Sequence, residues 1–375
     1  MRISLVKSVP GPIAVGRIFD DAVLPFYYAL RRLGHEVEII NNRFDENSRN
    51  IVFGANIDPT VAWLHDAPRF TIVNLEQFRL EGGEWAANQP YLELLKKNEV
   101  WDYSPSNADF LEKEHGLEVG RFIFGYVPEM TRLRDNREES IDVLFYGGIN
   151  PRREKVLADL VDAGVRLKCL DHVYGAERDQ AIYDSKIILN VHKGRTAILE
   201  MARLGYPLAN RKAVVSELNE DTERYPGLEK ACAFYPYEKL AAGVLELLAD
   251  ETGRRAQAEA GFESFSKISL VDSLERLVGR SDSGPRPDVA AGRETGRTSS
   301  DPGPDIYIGV ADEWLAPEDG LPPSPPREGT PQSAWSRRLF LCLKHIKRWR
   351  YRRIVRRASG FKKYRYADKL ERLEK

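Results

Sequence analysis

The sequence predicts an α/β protein made of two doubly wound, Rossmann-like units. Three observations carry this. Short apolar runs alternate with stretches of helical period from the first residue to about residue 280, the pattern of a mostly parallel sheet with crossover helices. A charged segment without apolar period, TRLRDNREES at Thr131–Ser140, interrupts the alternation, which then restarts. From about Arg280 to Ser333 the composition shifts to Gly, Pro, Ser, Asp and Arg, which cannot bury enough apolar surface to offset the entropy of ordering. With 375 residues, 42% of them hydrophobic, there is material for two ordinary cores. The expected units are residues 1–132 and 138–280, then a disordered connector at 281–334 and a basic amphipathic helical tail at 335–375.

In the first unit, Arg2–Ser8 reads as a buried strand and Pro10–Gly16 as a Gly/Pro turn. A helix runs from Asp20, its cap, to Leu33 and ends at Gly34. Strands follow at His35–Ile40, Asn50–Phe53, near Val61–Leu64 and at Phe70–Asn74. Tyr91–Lys97 is helical, Val100–Tyr103 a strand, and Ser104-Pro-Ser-Asn107 a helix start. Phe122–Tyr126 completes the set. In the second unit, strand Ile141–Tyr146 leads through Gly147-Gly148 to a helix at Arg153–Ala163. Strands are expected at Val165–Leu170, Ile187–Val191, Ala213–Ser216 and Phe234–Tyr235. Helices are expected at Thr196–Ala209, Glu238–Asp250 and Glu251–Gly279. Inside the connector, DIYIGVADEWL (Asp305–Leu315) is an apolar island able to dock on a surface.

The net charge of −1 hides an asymmetry, because residues 335–375 hold 16 Lys and Arg against 3 acidic residues. An acidic body with a basic tail points to a separate partner for the tail. Cys169, Cys232 and Cys342 are far apart, which excludes a disulfide framework or a Cys-based zinc site and fits a reducing cytoplasm. The apolar start is only a strand's length, so no signal peptide is expected, and no run reaches the roughly 18 apolar residues of a membrane span.

The chemistry concentrates in ILNVHKGRTAILEMARLGYPLANRKAVVSE, from Ile188 to Glu217. A strand ends in His192, Lys193, Gly194 and Arg195. A helix pattern follows with Glu200 about one turn inside and Arg203 beyond it. In open parallel sheets ligands bind at the C-terminal ends of strands, and helix N-termini suit phosphate. The stretch reads as a sugar-nucleotide site, with the diphosphate near the turn and a ribose on Glu200. Glu200 paired with Arg203 or Arg195 on a solvated helix is the plainer reading. Arg203 either steadies that carboxylate or meets the ligand. A strand-end histidine bonded to backbone is the plainer reading of His192.

The spacing of His192 to Glu200 resembles the Glu-x7-Glu motif of retaining GT-B glycosyltransferases, with His in first place. The following EMARLGYPLANRKAVVSE is similar to the ribose-binding helix and next strand of glycosyltransferase family four. There Asn210-Arg-Lys212 replaces the usual Gly-x-Pro. The closer resemblance is to the CgeB-like glycosyltransferases of bacteria and large viruses. It is carried by VNLEQF (Val73–Phe78), Trp85, Tyr91–Gly116, FGYVPEM (Phe124–Met130) and FYGGINPRREKVLADL (Phe145–Leu160), in that order, and covers roughly residues 1–280.

The resemblance implies a GT-B enzyme that moves a sugar from a nucleotide donor to an unidentified acceptor. It implies a retaining, metal-independent reaction with no cofactor beyond the donor. The leaving diphosphate would be met by positive side chains and a helix dipole. Glu200 would bind the ribose and His192 would lie beside the sugar or phosphates. Arg153, together with Arg152, would reach the diphosphate after the Gly147-Gly148 turn, with Lys193, Arg195 and Arg203 nearby. Glu217 would line the cleft.

On the acceptor side stand Gly11 in the first turn, His65 and Asp66 at an expected strand end, and Glu76 in NLEQF. A buried His65–Asp66 pair is the alternative there. Asp102, Ser104 and Asn107 read as helix caps. The tail is expected on an anionic membrane surface at the inner face, with nucleic acid or the protein's own acidic body as alternatives. A non-catalytic sugar-nucleotide or glycan-binding scaffold on the same fold is the competing function, and a sugar-nucleotide epimerase a third.

Overall fold

A computed structural model describes residues 1–9, 17–57, 60–78, 88–133, 138–194, 198–218, 221–225 and 227–281. Gly11, Gly16, Trp85, Arg195, the connector with its Asp305–Leu315 island and the basic tail lie outside the described residues. Two parallel sheets carry the architecture.

The first sheet uses β1 (Arg2–Lys7), β2 (Glu36–Asn41), β3 (Arg49–Phe53), β4 (Thr71–Asn74), β5 (Glu99–Asp102) and β6 (Val119–Arg121), in the order β2-β1-β3-β4-β5-β6. Its helices are α1 (Asp20–Arg32), α2 (Ala62–His65), α3 (Gln89–Lys97) and α4 (Pro105–His115). The second sheet has β7 (Ile141–Tyr146), β8 (Leu167–Leu170), β9 (Ser185–Asn190), β10 (Ala213–Glu217) and β11 (Ala233–Tyr235), in the order β11-β10-β9-β7-β8. Its helices are α5 (Pro151–Asp162), α6 (Ala176–Tyr183), α7 (Met201–Ala209), α8 (Leu240–Ala249) and α9 (Glu251–Ser266), followed by α10 (Leu270–Ser281). All strand pairs are parallel, so strands such as β10, buried at every residue, can be apolar on both faces.

Local chemistry sets several helix starts. Asn150 caps α5 by accepting from Arg153 N at 3.0 Å, with Pro151 in first place. Ser104 caps α4 in the same way, accepting from Asn107 N at 3.2 Å. The capping reading holds for Ser104, with Asp102 in turn accepting from Ser104 N at 2.7 Å, but not for Asn107, whose side chain accepts from Phe78 N at 3.1 Å and donates to Glu76 O at 2.6 Å.

Asp20 does not cap α1: it is the first helical residue, after Phe19, and its carboxylate accepts from Lys7 Nζ at 3.0 Å. Four further expectations need correction. The segment near Val61–Leu64 is the helical turn α2, since parallel β3 and β4 require a crossover between them. The strand expected at Phe122–Tyr126 lies earlier, at Val119–Arg121. Beyond it Phe122 and Phe124 leave the sheet edge and pack edge-on or tilted against Phe26 at 5.2 and 5.9 Å. The long helix over Glu251–Gly279 breaks at Lys267–Ser269. There Tyr126 N donates to Ile268 O at 2.7 Å and Leu270 N to Tyr126 O at 3.3 Å. Gly125 permits that approach, because any Cβ on it would strike Ile268 O. The fourth correction concerns the start of α7. A helix absent from the sequence reading, α6, carries Arg178 and Asp179.

The sheets are not independent. Although α10 follows the second sheet, it packs on α1 and β6 of the first. One apolar cluster runs from Phe26, Phe53 and Phe124 through Met130 to Leu204, Tyr206 and Leu274. Arg178 of α6, 3% exposed, pairs with Asp21 at the start of α1 and with Asp179 at 2.7 Å. The link at 131–140, where described, is tied down as well: Asn210 Oδ1 accepts from Arg132 N and Leu133 N, and Lys212 pairs with Glu139 at 2.6 Å.

Candidate active site at the second sheet

In the second sheet the strand order reverses between β7 and β9, the topological switch point where open sheets bind ligands beyond their C-terminal ends. Gly147 and Gly148 follow β7. His192, Lys193 and Glu200 follow β9, and Glu217 ends β10. The structure therefore gathers at one sheet edge the donor-side residues that it describes.

Glu200 is the N-cap residue of α7 and not a residue one turn inside it. The helix starts late because side chains from distant loops claim the preceding amides. Ile198 N donates to Gln77 Oε1 at 3.3 Å and Leu199 N to Asp221 Oδ2 at 2.9 Å. Gln77 comes from the first sheet, and Asp221 also accepts from Ser104 Oγ of that sheet at 3.4 Å.

The Glu200 carboxylate lies between two arginines. Arg203 Nη1 donates to Oε2 at 3.0 Å, and Arg153 Nη2 stands 3.4 Å from both oxygens. Burial alone would raise this carboxyl, but Arg203 and Arg153 outweigh burial and hold it below the ordinary value of 4.5. Arg153, 3% exposed, spends its other donors on Val191 O and Gly148 O, both at 2.8 Å. Arg203 also reaches Asn190 Oδ1 at 3.3 Å and passes over Gly147. Gly147 has φ +127°, and a Cβ there would stand 2.9 Å from Arg203 Nη2, so only glycine suits the position. Lys193 is exposed, its carbonyl held by Asn150 Nδ2 at 2.8 Å.

A second clamp surrounds His192. Glu217, 3% exposed, pairs through both oxygens with Arg152 and accepts from His192 N at 3.0 Å. Arg152 Nη1 donates to His192 O at 3.0 Å, and its guanidinium lies 3.8 Å from the Tyr237 ring centroid. The Tyr237 hydroxyl closes the loop by donating to Arg152 O at 2.8 Å. The His192 ring is fully buried, with Nε2 3.1 Å from Glu217 O and Nδ1 without a partner among the described residues. A buried polar atom left unpaired costs about 1–3 kcal/mol. Burial pushes the ring pKa down, against the pull of Glu200 and Glu217.

On the first sheet, Glu76 is half-buried and accepts from Asn56 Nδ2 at 2.7 Å. Asn74 and Asn107 hold the turn that presents it, both donating to Glu76 O. Burial pushes the Asp102 carboxyl beneath that turn up to about 7. His65 and Asp66 are both exposed at the end of α2, which overturns the buried-pair reading. The sequence reading missed Asn150, Asn190, Gln77, Asp221 and Tyr237. Of these, only the Asn150-Pro151 cap had a local signal.

A polar cavity of about 490 Å³ lies at the opposite, N-terminal edge of the second sheet, lined by Lys186, Lys212, Arg254, Glu139 and Glu259 among others. Its cations are engaged: Lys186 pairs with Asp142 at 2.9 Å, Lys212 with Glu139, and Arg254 caps Leu248 O at 3.3 Å.

No family model matches the chain. Two uncharacterized proteins of Acanthamoeba polyphaga mimivirus match, one at 26% identity over 161 residues (42% of this chain and 55% of that protein). The other matches at 25% over 150 residues, 38% of this chain and 16% of that protein. The chain thus spans about half of one viral relative and less than a fifth of the other. Among solved structures, an α-glucosyltransferase in complex with UDP and DNA aligns with a TM-score of 0.51 at 10% identity, over 74% of this chain and 98% of that one. WaaG, a glycosyltransferase involved in lipopolysaccharide biosynthesis, aligns at 0.49 and 12%, over 76% and 100%. At such identities the likeness concerns architecture, and the architecture is the GT-B fold: two parallel sheets with interleaved helices.

Proposed function

We propose that the protein is a glycosyltransferase that transfers a sugar from a nucleotide-sugar donor to an acceptor. One observation carries the reading. A half-buried carboxylate, Glu200, its side chain 14% exposed, is held between Arg153 and Arg203 at the start of α7, beside the Gly147 turn at the β7/β9 switch point. A carboxylate fixed at a helix N-terminus can accept two ribose hydroxyls. The helix end, Arg203 and Lys193 offer positive charge to a diphosphate. The α-glucosyltransferase on the same architecture has UDP bound, which supports the donor class.

In this proposal the first sheet, with Glu76, faces the acceptor and the second holds the donor. The division at 1–132 and 138–280 is part of it. So are retention of configuration, leaving-group stabilisation by cations without a metal, and kinship with the CgeB-like group. A cytoplasmic location rests on cysteine usage, and a membrane-facing tail on the charge of residues 335–375.

The test is thermal stabilisation of the full chain by UDP, GDP, ADP and dTDP and their hexose conjugates. A ligand at 100 times its Kd should add about 2.7 kcal/mol to the folded state. The proposal expects one nucleotide series to stabilise. Absence of any response from folded protein would favour the scaffold reading.

A further inference from the structure

We infer that Gln77 and Asp221 are positioning residues for the donor: from the first sheet and from the loop after β10 they hold Ile198 and Leu199, so that Glu200 stands just before α7 with its carboxylate placed for the ribose. This role rests on the glycosyltransferase reading and deepens it.

The backbone at Glu200 is not helical. Its φ of −79° and ψ of 64° are those of an inverse γ-turn, closed by Met201 N donating to Leu199 O at 2.8 Å. Arg203 N and Leu204 N then donate to Glu200 O at 2.9 and 3.2 Å, so α7 begins on the next residue. Local sequence favours a different course, because Leu199, Glu200, Met201 and Ala202 are all strong helix formers. A turn at this point needs a constraint from outside the segment, and two are present. Gln77 Oε1 accepts from Ile198 N at 3.3 Å, and Asp221 Oδ2 accepts from Leu199 N at 2.9 Å.

Both acceptors are themselves pinned to the first sheet. Asn107 holds the peptide groups on either side of Gln77, donating to Glu76 O at 2.6 Å and accepting from Phe78 N at 3.1 Å. Asp221, 6% exposed, accepts from Ser104 Oγ at 3.4 Å. Arg224, three residues on, pairs with Asp109 of α4 at 2.7 Å and donates to Ser106 Oγ at 3.2 Å. The side chains of Ile198 and Leu199 are buried in the apolar cluster that the two sheets share.

The γ-turn brings the Glu200 carboxylate between Arg153 and Arg203. In a helix that ran on through Leu199, the ψ of Glu200 would change by roughly 100° and the carboxylate would leave that place. A side chain that accepts two ribose hydroxyls must be held to within about 0.5 Å. Gln77 and Asp221 therefore set donor affinity through Glu200, without touching the donor.

The experiment titrates the full chain calorimetrically, at a temperature where each variant is folded. The ligands are the nucleoside diphosphate that stabilises the protein and its 2′,3′-dideoxy counterpart, which lacks both ribose hydroxyls. Wild type should prefer the ribonucleotide. Gln77→Met, of similar length but without the acceptor, and Asp221→Ala should each weaken the ribonucleotide roughly tenfold and leave the dideoxy form within about twofold. Asp221→Asn keeps an oxygen for Leu199 N and should retain the wild-type preference. Gln77→Met and Asp221→Ala change different contacts, so one of them decides the matter if the other does not fold. An undiminished ribose preference in either folded variant would overturn the inference. So would equal weakening of both ligands, which a merely structural role predicts, or an Asp221→Asn protein as impaired as Asp221→Ala. A wild type indifferent to the ribose hydroxyls would also overturn it and leave the donor class standing. If no member of the nucleotide panel stabilises the protein, the glycosyltransferase reading falls and this inference with it.

Discussion

Glu200→Ala should abolish the response to nucleotide and lower folding stability by about 3 kcal/mol, because it strips the carboxylate from between two arginines, one of them buried. Glu200→Gln should cost less, since its amide oxygen still accepts from one guanidinium, and it should also lose nucleotide affinity. The carboxyl is held below its ordinary value of 4.5. For such a group the stabilisation is fully present above the unfolded pKa and is lost as pH falls through the folded one. Acid unfolding of the wild type below about pH 4.5 should therefore contain a component that Glu200→Gln lacks. Denaturant midpoints across pH, with and without the stabilising nucleotide, read both effects. A Glu200→Ala protein that keeps its nucleotide response would remove this residue from the site.

Arg178→Met should cost about 3–5 kcal/mol, since it leaves Asp21 and Asp179 without their shared cation in a buried place. For a protein of this size that lowers Tm by on the order of 10 °C. The loss has a particular character. Arg178 lies on α6 and Asp21 on α1, so the pair fastens one sheet's helices to the other's. Calorimetry of the variant should show the single transition broadening or splitting as the sheets uncouple. Adding Asp21→Asn and Asp179→Asn should recover most of the loss, because the cost comes from unpaired charge and not from missing volume. A wild-type Tm in Arg178→Met would refute the interpretation.

Much of the fold was legible for a simple reason. Strands such as β7, β9 and β10 are apolar on both faces, and α4 and α5 open on Ser104-Pro105 and Asn150-Pro151, signals that need no tertiary context. The start of α7 was not legible. Ile198 and Leu199 continue the helical apolar period, but both are buried and their amides are taken by Gln77 and Asp221, which are distant in sequence. The break before α10 was hidden in the same way, because it serves the backbone of Tyr126. Within the site, the eight-residue spacing of His192 and Glu200 pointed to the loop that follows β9 at the switch point. It could not show that neighbouring arginines in the first turn of α5 diverge, Arg152 to Glu217 and Arg153 to Glu200. That outcome depends on which strands flank β7, a property of sheet order and not of local sequence.

The central claim is that the donor binds at the C-terminal edge of the second sheet. Hydrogen–deuterium exchange with and without the stabilising nucleotide tests it most directly. The account predicts slowed exchange at Gly147–Arg153 and Ile198–Leu204, on both sides of the β7/β9 switch point. Protection confined instead to Arg211–Ala213 and Arg254–Glu259, around the cavity at the opposite edge, would contradict it.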